Sequence, residues 1–139
     1  MEIKTEFDLM FYTAQALAGK PVILRLKHPS TKGNHGECHA GPDGQIYIDM
    51  VPMLPDKIKL LVLCHEAAHA RLHTFKPSMV YKLQSGTLDP NPDSPKERVR
   101  ESQADALAKK WMDYAKQHGG DDIQDQLIAL LNLYKRGKK

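Results

Sequence analysis

Residues Pro55 to His73 read PDKIKLLVLCHEAAHARLH. Side chains that can face a core recur in it every three or four residues, at Ile58, Leu61, Val62, His65, Ala68 and Leu72. That period is typical of an amphipathic α-helix. Pro77 would stop any extension beyond the end of the pattern. The stretch therefore predicts a helix that begins at Pro55 or Asp56 and ends at about His73.

Within this helix the pair His65 and His69 predicts a metal site. Residues four apart lie one turn apart on the same helical face, about 6 Å along the axis, so two imidazoles there can bind one metal ion. Glu66 follows His65 directly, so its carboxylate projects beside the metal, where it can hold and deprotonate a water molecule. The segment HEAAH is the arrangement of a zinc hydrolase, with one Zn²⁺ per chain.

A catalytic zinc site needs a third protein ligand and an open fourth position. Glu101 is the favoured third ligand, because it lies in the first turns of the next predicted helix, which can pack antiparallel to the motif helix. Small side chains follow it at helical spacing and allow the close approach that a shared metal requires. Asp105, one turn further, can accept the remaining N–H of a ligating histidine. Glu97 and Asp105 are the alternative third ligands.

Two other sets of residues are less favourable ligands. His73 continues the four-residue spacing, but a tetrahedral centre with bonds of about 2 Å cannot gather three rings spread over about 12 Å of one straight helix. His35, Cys38 and His39 lie close together in a predicted hairpin and could complete a closed site. Such a site would leave Glu66 without a role.

Three more helices are predicted from apolar periodicity together with start and stop signals. The first spans residues 7 to 18, before Gly19 and Pro21. The third begins with the capping box Ser94-Pro95-Lys96-Glu97 and runs to His118, where Gly119 and Gly120 end it. A last helix follows Asp121 or Asp122, with its apolar face between residues 123 and 134.

Short β-prone runs predict a small sheet. The runs are residues 21 to 27, 36 to 40 and 45 to 49, and the last two flank a turn at Gly41 to Gly44. Residues 75 to 95 contain four prolines and predict a long surface loop. The fold class is therefore expected to be α+β, with a small twisted, mostly antiparallel sheet of about three strands packed with four helices. The sequence contains no internal repeats.

Length and composition limit the function classes. The chain has 139 residues and 15.7 kDa, which predicts a single domain over residues 1 to 139. Its longest apolar run, Leu60 to Cys64, is far shorter than the roughly 18 residues of a membrane span, and residues 1 to 8 lack a basic leader. Two cysteines fit a reducing compartment. The expectation is a cytoplasmic protein with no membrane contact.

The net charge is +3, and residues 135 to 139 carry four of the basic side chains. A solvated, frayed tail is the expected reading of that segment, and a nucleic-acid contact is the less favoured one.

The segment HEAAH, together with ESQADALA at residues 101 to 108, resembles the gluzincin metallopeptidases, and among them the small bacterial and phage ImmA/IrrE-like proteins. The resemblance covers roughly residues 45 to 114. It implies a zincin-like fold, with His65, His69 and Glu101 as zinc ligands and Glu66 as the catalytic carboxylate. It also implies a site-specific regulatory protease. Family members sometimes carry a helix-turn-helix module, which no stretch of this chain predicts.

The expected reaction is hydrolysis of a peptide bond in a protein or peptide substrate, with a regulatory protein partner as an additional expectation. His73 or Tyr81 would donate to the oxyanion. The strand at residues 45 to 49 precedes the motif helix and is expected to offer an edge to which an extended peptide adds.

Two alternatives compete with this function. One is a zinc-containing protein without catalysis that binds nucleic acid or a protein partner. The other is a SprT-like protease associated with DNA, which would use a histidine as third ligand. His118, 49 residues after His69, matches that requirement poorly.

Overall fold

A computed structural model describes residues 2–28, 35–41, 43–73, 80–82 and 95–136. These residues form four helices and four strands, which confirms the predicted α+β class. The helices are α1 (Glu6–Ala18), α2 (Asp56–Leu72), α3 (Pro95–Gly119) and α4 (Ile123–Arg136). The strands are β1 (Ile23–Leu26), β2 (Gly36–Ala40), β3 (Ile46–Met50) and β4 (Val80–Lys82). None of the described helices is long and apolar enough to cross a membrane.

The four strands form one sheet in the order β1-β3-β2-β4. Strand β3 runs parallel to β1 and antiparallel to β2, and β2 is antiparallel to β4. Because β3 has a hydrogen-bonded neighbour on both sides, the prediction that it offers a free edge to a peptide is wrong. Its backbone groups already pair with those of β1 and β2. The edges of the described sheet are β1 and β4.

Strand β4 lies inside the segment that was predicted to be a loop, so the sheet has one strand more than expected. Its three residues pair with Glu37, Cys38 and His39 of β2. A run of three residues is too short to show the alternation of side chains that is typical of a strand, and prolines lie on both sides of it in the sequence. Its strand conformation comes from pairing with β2. The predicted loop residues 75–79 and 83–94 lie outside the described part, and Ser94 of the predicted capping box is among them.

The ends of α1 and α2 follow from local chemistry. Thr5 caps α1, because its hydroxyl accepts from the Asp8 N–H at 3.1 Å while the Asp8 carboxylate accepts from the Thr5 N–H. Gly19 ends α1 with φ 72°, a left-handed conformation that glycine adopts without strain. Helix α2 ends at Leu72, and His73 is already extended, with φ −120° and ψ 147°.

Helix α2 lies at the centre of the molecule, where α1, α3 and one face of the sheet pack against it. That sheet face contributes Cys38 and Ile48, both fully buried, to a single hydrophobic core. Gly36 lets β2 approach the helix closely, since a β-carbon at that position would lie 2.5 Å from Cγ1 of Val62 and 3.5 Å from Cγ of Glu66. The sheet is therefore seated directly against the HEAAH segment.

Helix α4 completes the core by packing on α1 and α3. The Thr13 hydroxyl donates to the Leu127 carbonyl at 3.1 Å, and the Trp111 indole N–H donates to the Tyr134 hydroxyl at 2.9 Å. These contacts tie α1 and α3 to α4.

Candidate metal centre

Three side chains from two helices converge at one point. Nε2 of His65 lies 3.2 Å from Nε2 of His69, both on α2. From α3, the two carboxylate oxygens of Glu101 lie 3.3 Å from Nε2 of His65 and 2.9 Å from Nε2 of His69. A tetrahedral ion with bonds of 2.0–2.1 Å separates its ligand atoms by about 3.3 Å. The three residues predicted as ligands therefore form a group that could hold a metal ion.

The electrostatics of Glu101 suit a ligand. Partial burial alone would raise the pKa of its carboxyl, but the contacts with the imidazoles of His65 and His69 outweigh this and lower it to about 2. The side chain is 29% exposed, whereas both imidazoles are buried. Glu101 is thus an anion at neutral pH, held at the mouth of a buried pair of histidines.

Asp105 lies where it was expected, one turn along α3 from Glu101. Its Oδ1 atom is 2.9 Å from Nδ1 of His65, the ring nitrogen that faces away from the ligand group. An N–H at Nδ1 that donates to Asp105 leaves a lone pair on Nε2. In this position Asp105 orients His65, so its alternative role as a third ligand does not agree with the geometry.

His73 lies behind His69. Its Nδ1 is 3.1 Å from Nδ1 of His69, and its Nε2 is 3.3 Å from the Oε1 of Gln103 on α3. Burial and the neighbouring His69 lower the pKa of the His73 imidazole. His73 is not in the ligand group, as its spacing predicted. Its predicted donation to an oxyanion stays a prediction.

Glu66 is fully buried beside the ligand group. Neither of its carboxylate oxygens has a hydrogen-bond partner within the described residues. Burial, with a further contribution from the negative charges of Glu101 and Glu37, raises its pKa well above the ordinary value. An unpaired buried polar group costs about 1–3 kcal/mol, so the fold maintains an unfavourable group next to the candidate ligands.

Two predicted residues have side chains outside the described part. The backbone of Tyr81, on β4, pairs with Cys38 of β2, but its side chain lies outside the described residues. The same holds for the side chain of the alternative ligand Glu97 in the first turn of α3. The predicted roles of both residues stay predictions.

Two alternative ligand sets do not agree with the structure. Cys38 and His39 are neighbours on β2, so their side chains lie on opposite faces of the sheet. Cys38 is in the core, while Nε2 of His39 contacts Asp49, and the two side chains therefore cannot close one site. His118 lies 17 residues after Glu101 on α3, about 25 Å along the helix, and its ring contacts that of Tyr114 at a tilt of 34°. It cannot complete the ligand group.

A second polar cluster, which was not predicted, occupies the other sheet face. Arg25 donates to both oxygens of Asp49, at 2.7 and 2.9 Å, and Nε2 of His39 lies 3.0 Å from Asp49 and 3.8 Å from Glu37. Burial would raise the pKa of the Asp49 carboxyl, but His39 and Arg25 outweigh it and lower it. Although Glu37, His39 and Asp49 are close enough to hold an ion, the guanidinium already occupies Asp49. The cluster is a partly buried ion-pair network centred on Asp49.

Sequence reasoning missed Gly36 and Gln103. Gly36 admits β2 to the side of Glu66, and a single glycine at the start of a strand gives no signal of this role. Gln103 is one polar residue among many on α3, and only the packing of α3 on α2 brings it to His73.

No family model, curated protein or solved structure matches the chain.

Proposed function

We propose that the chain is a zinc-dependent endopeptidase that hydrolyses peptide bonds. The observation that carries this proposal is the Glu66 carboxyl, which is fully buried and without a hydrogen-bond partner in the described residues, next to a group of three metal-ligating side chains. A site that only held the fold together would gain nothing from an unpaired buried carboxyl. A site that moves a proton can use such a group as its base.

The donor set fits zinc. Two imidazole nitrogens and one carboxylate oxygen are the ligands of a well-known class of catalytic zinc sites, in which a fourth position stays open. His65, His69 and Glu101 would hold the ion. When bound, zinc would polarise the scissile carbonyl and lower the pKa of a water molecule toward about 7.

Glu66 is the general base in this proposal. Burial raises the pKa of its carboxyl, which makes the carboxylate a stronger base than that of an exposed glutamate and favours acceptance of a proton from the attacking water. The same carboxyl would then deliver the proton to the leaving amine. Asp105 keeps the His65 lone pair directed at the ion. Closed packing of β2 against α2 at Gly36 keeps Glu66 out of bulk water.

The resemblance to ImmA/IrrE-like proteins extends the proposal to a substrate class. It favours a regulatory protease of a bacterial or phage system, acting in the cytoplasm on a protein substrate such as a repressor. The ligand set and Glu66 support the chemistry, and the resemblance alone supports this biological role.

The test compares cleavage products across the proteome in cells that express wild type, Glu66→Gln or Glu2→Gln. Glu2 is exposed and far along the chain from the centre, so Glu2→Gln controls for the change from carboxylate to amide. Loss of a general base is expected to leave on the order of 1% of the activity or less, because general base catalysis contributes 10²–10⁴ in rate. Glu2→Gln should cleave like wild type.

Elemental analysis of the purified proteins accompanies the cleavage comparison. Wild type and Glu66→Gln should each contain one zinc per chain, and Glu101→Ala should contain little. Equal cleavage by wild type and Glu66→Gln would replace the enzyme by a zinc-binding regulatory module. A zinc-free wild type would remove the metal centre altogether.

A further inference from the structure

We infer that His73 and Gln103 are positioning residues that orient His69 for metal binding through a relay of hydrogen bonds. The relay consists of Gln103, His73 and His69 in that order. It joins α3 to the end of α2 by two contacts, 3.3 Å from Oε1 of Gln103 to Nε2 of His73 and 3.1 Å between the two Nδ1 atoms. The inference rests on the proposed metal centre and extends it to residues outside the ligand group.

The direction of the relay follows from which atoms can donate. A neutral imidazole carries one N–H, and an amide oxygen can only accept. Nε2 of His73 therefore donates to Gln103, which leaves Nδ1 of His73 as an acceptor. Nδ1 of His69 donates to that acceptor, so Nε2 of His69 carries the lone pair. This is the nitrogen that lies among the other ligand atoms.

The contact between His69 and Glu101 agrees with this direction. Nε2 of His69 lies 2.9 Å from Oε2 of Glu101, yet that oxygen has no hydrogen-bond partner within the described residues. The two atoms are close without being aligned as donor and acceptor. Atoms that share a cation are arranged in this way, whereas an N–H that donates points at its acceptor.

The two ligand histidines are thus oriented differently. The Nδ1 atom of His65 contacts a carboxylate, that of Asp105. The Nδ1 contact of His69 is to an imidazole, which by itself can donate or accept at the facing nitrogen. The Gln103 oxygen favours one of those two states, because it accepts the ring hydrogen of a neutral His73 on the side away from His69. The extended backbone of His73, just past the end of α2, places its ring between His69 and Gln103.

Gln103 is an exposed residue, so its substitution leaves the core unchanged. Gln103→Met removes the acceptor at nearly constant size, and Gln103→Glu keeps an acceptor and removes the donors. Ser102→Ala, at the neighbouring exposed position of α3, is the matched control. His73→Phe removes both nitrogens and retains the ring.

The first measurement is zinc affinity by competition with a chromophoric chelator, in the absence of any substrate. Loss of a group that orients a ligand weakens metal binding about 10- to 100-fold. We expect His73→Phe and Gln103→Met each to weaken zinc binding by about 10- to 100-fold. Gln103→Glu and Ser102→Ala should bind zinc within about threefold of wild type. Wild-type affinity in both His73→Phe and Gln103→Met would overturn the inference.

The second measurement is the ¹⁵N NMR spectrum of the imidazoles in the zinc-loaded protein, which reports the position of each ring hydrogen. We expect it on Nε2 of His73 and on Nδ1 of His69 in wild type, with that preference lost for His73 in Gln103→Met. A hydrogen on Nδ1 of His73 in zinc-loaded wild type would overturn the relay. Cleavage activity enters neither measurement, so an inactive zinc-binding protein would contradict the proposed enzyme and leave the relay standing, whereas a wild type that binds no zinc would end both.

Discussion

Nδ1 of His65 lies 2.9 Å from Oδ1 of Asp105, so an acidic side chain of α3 orients a histidine of α2. The Asp105 side chain is 69% exposed, which makes this contact a weak source of stability in itself. The contact instead fixes the orientation of the His65 ring, because an N–H at Nδ1 that donates to Asp105 leaves the lone pair on Nε2. The same two helices thus supply both the candidate ligands and the group that orients one of them.

Asp105→Ala is expected to weaken zinc binding about 10-fold or more, because the Nδ1–H of His65 loses its acceptor. Its effect on the free energy of unfolding should be below about 1 kcal/mol, as the residue is largely exposed. Chelator competition and urea unfolding measure the two quantities. Asp113→Ala, on the same helix and paired at the surface with Lys109, serves as the control. Equal zinc affinity in both variants would contradict the orienting role.

Glu66→Gln is expected to make the metal-free protein more stable, with a difference that grows with pH. The pKa of Glu66 is raised in the folded state, so its protonated form contributes stability that is fully present below the ordinary value of 4.5 and is lost as pH rises through the folded pKa. A glutamine does not titrate. The measurement is the difference in unfolding free energy between the two proteins, with a chelator present, from pH 5 to pH 8. A difference that stays flat or shrinks over that range would contradict the burial of this carboxyl.

Asp49→Asn is expected to lower the free energy of unfolding by about 3 kcal/mol at pH 7, because Arg25 and His39 lose the charge that they contact. The figure is at the low end for a buried pair, since the Arg25 side chain is 36% exposed. The pKa of Asp49 is depressed, so its contribution is present above 3.8 and is lost as pH falls through the folded pKa. Wild type and variant should therefore converge in acid unfolding below pH 3.8. Parallel curves down to pH 2 would argue against the ion pair.

Gly36→Ala is expected to destabilise the protein by roughly 1–3 kcal/mol, because the new methyl would lie 2.5 Å from Cγ1 of Val62. Val62→Ala removes that atom and should recover part of the loss when both changes are combined. The free energies of unfolding of the two single variants and the double variant give the coupling. Strict additivity would show that β2 and α2 do not press on each other here.

The local elements could be predicted because their signals are local. Helical spacing and the stop at Gly19 predict α1, and helical spacing after Asp56 predicts α2. The structure places these helices at Glu6–Ala18 and Asp56–Leu72. The grouping of His65, His69 and Glu101 followed from helical geometry and from the small residues that line α3. Asp105 then came one turn later on the same face.

The order of the strands could not be predicted, because pairing partners are chosen by packing across the whole core. Nothing in residues 45 to 49 shows that β1 would cover one edge of β3, and nothing in Val80–Lys82 shows that β2 would accept a fourth strand. The contact between His73 and Gln103 is of the same kind. It joins residues 30 apart that meet only after α3 has docked on α2.

The candidate ligands divide between α2 and α3, with roughly 30 residues of chain between His69 and Glu101. An ion that binds all three side chains would bind only the folded chain, because unfolding separates α2 from α3, and it would stabilise the fold by mass action, by about 2.7 kcal/mol at a free concentration 100 times its dissociation constant. That stabilisation disappears whenever the ion leaves. In a cell, the lifetime of this protein against degradation would then follow the supply of free metal, so starvation for the ion would remove the molecule as well as its chemistry.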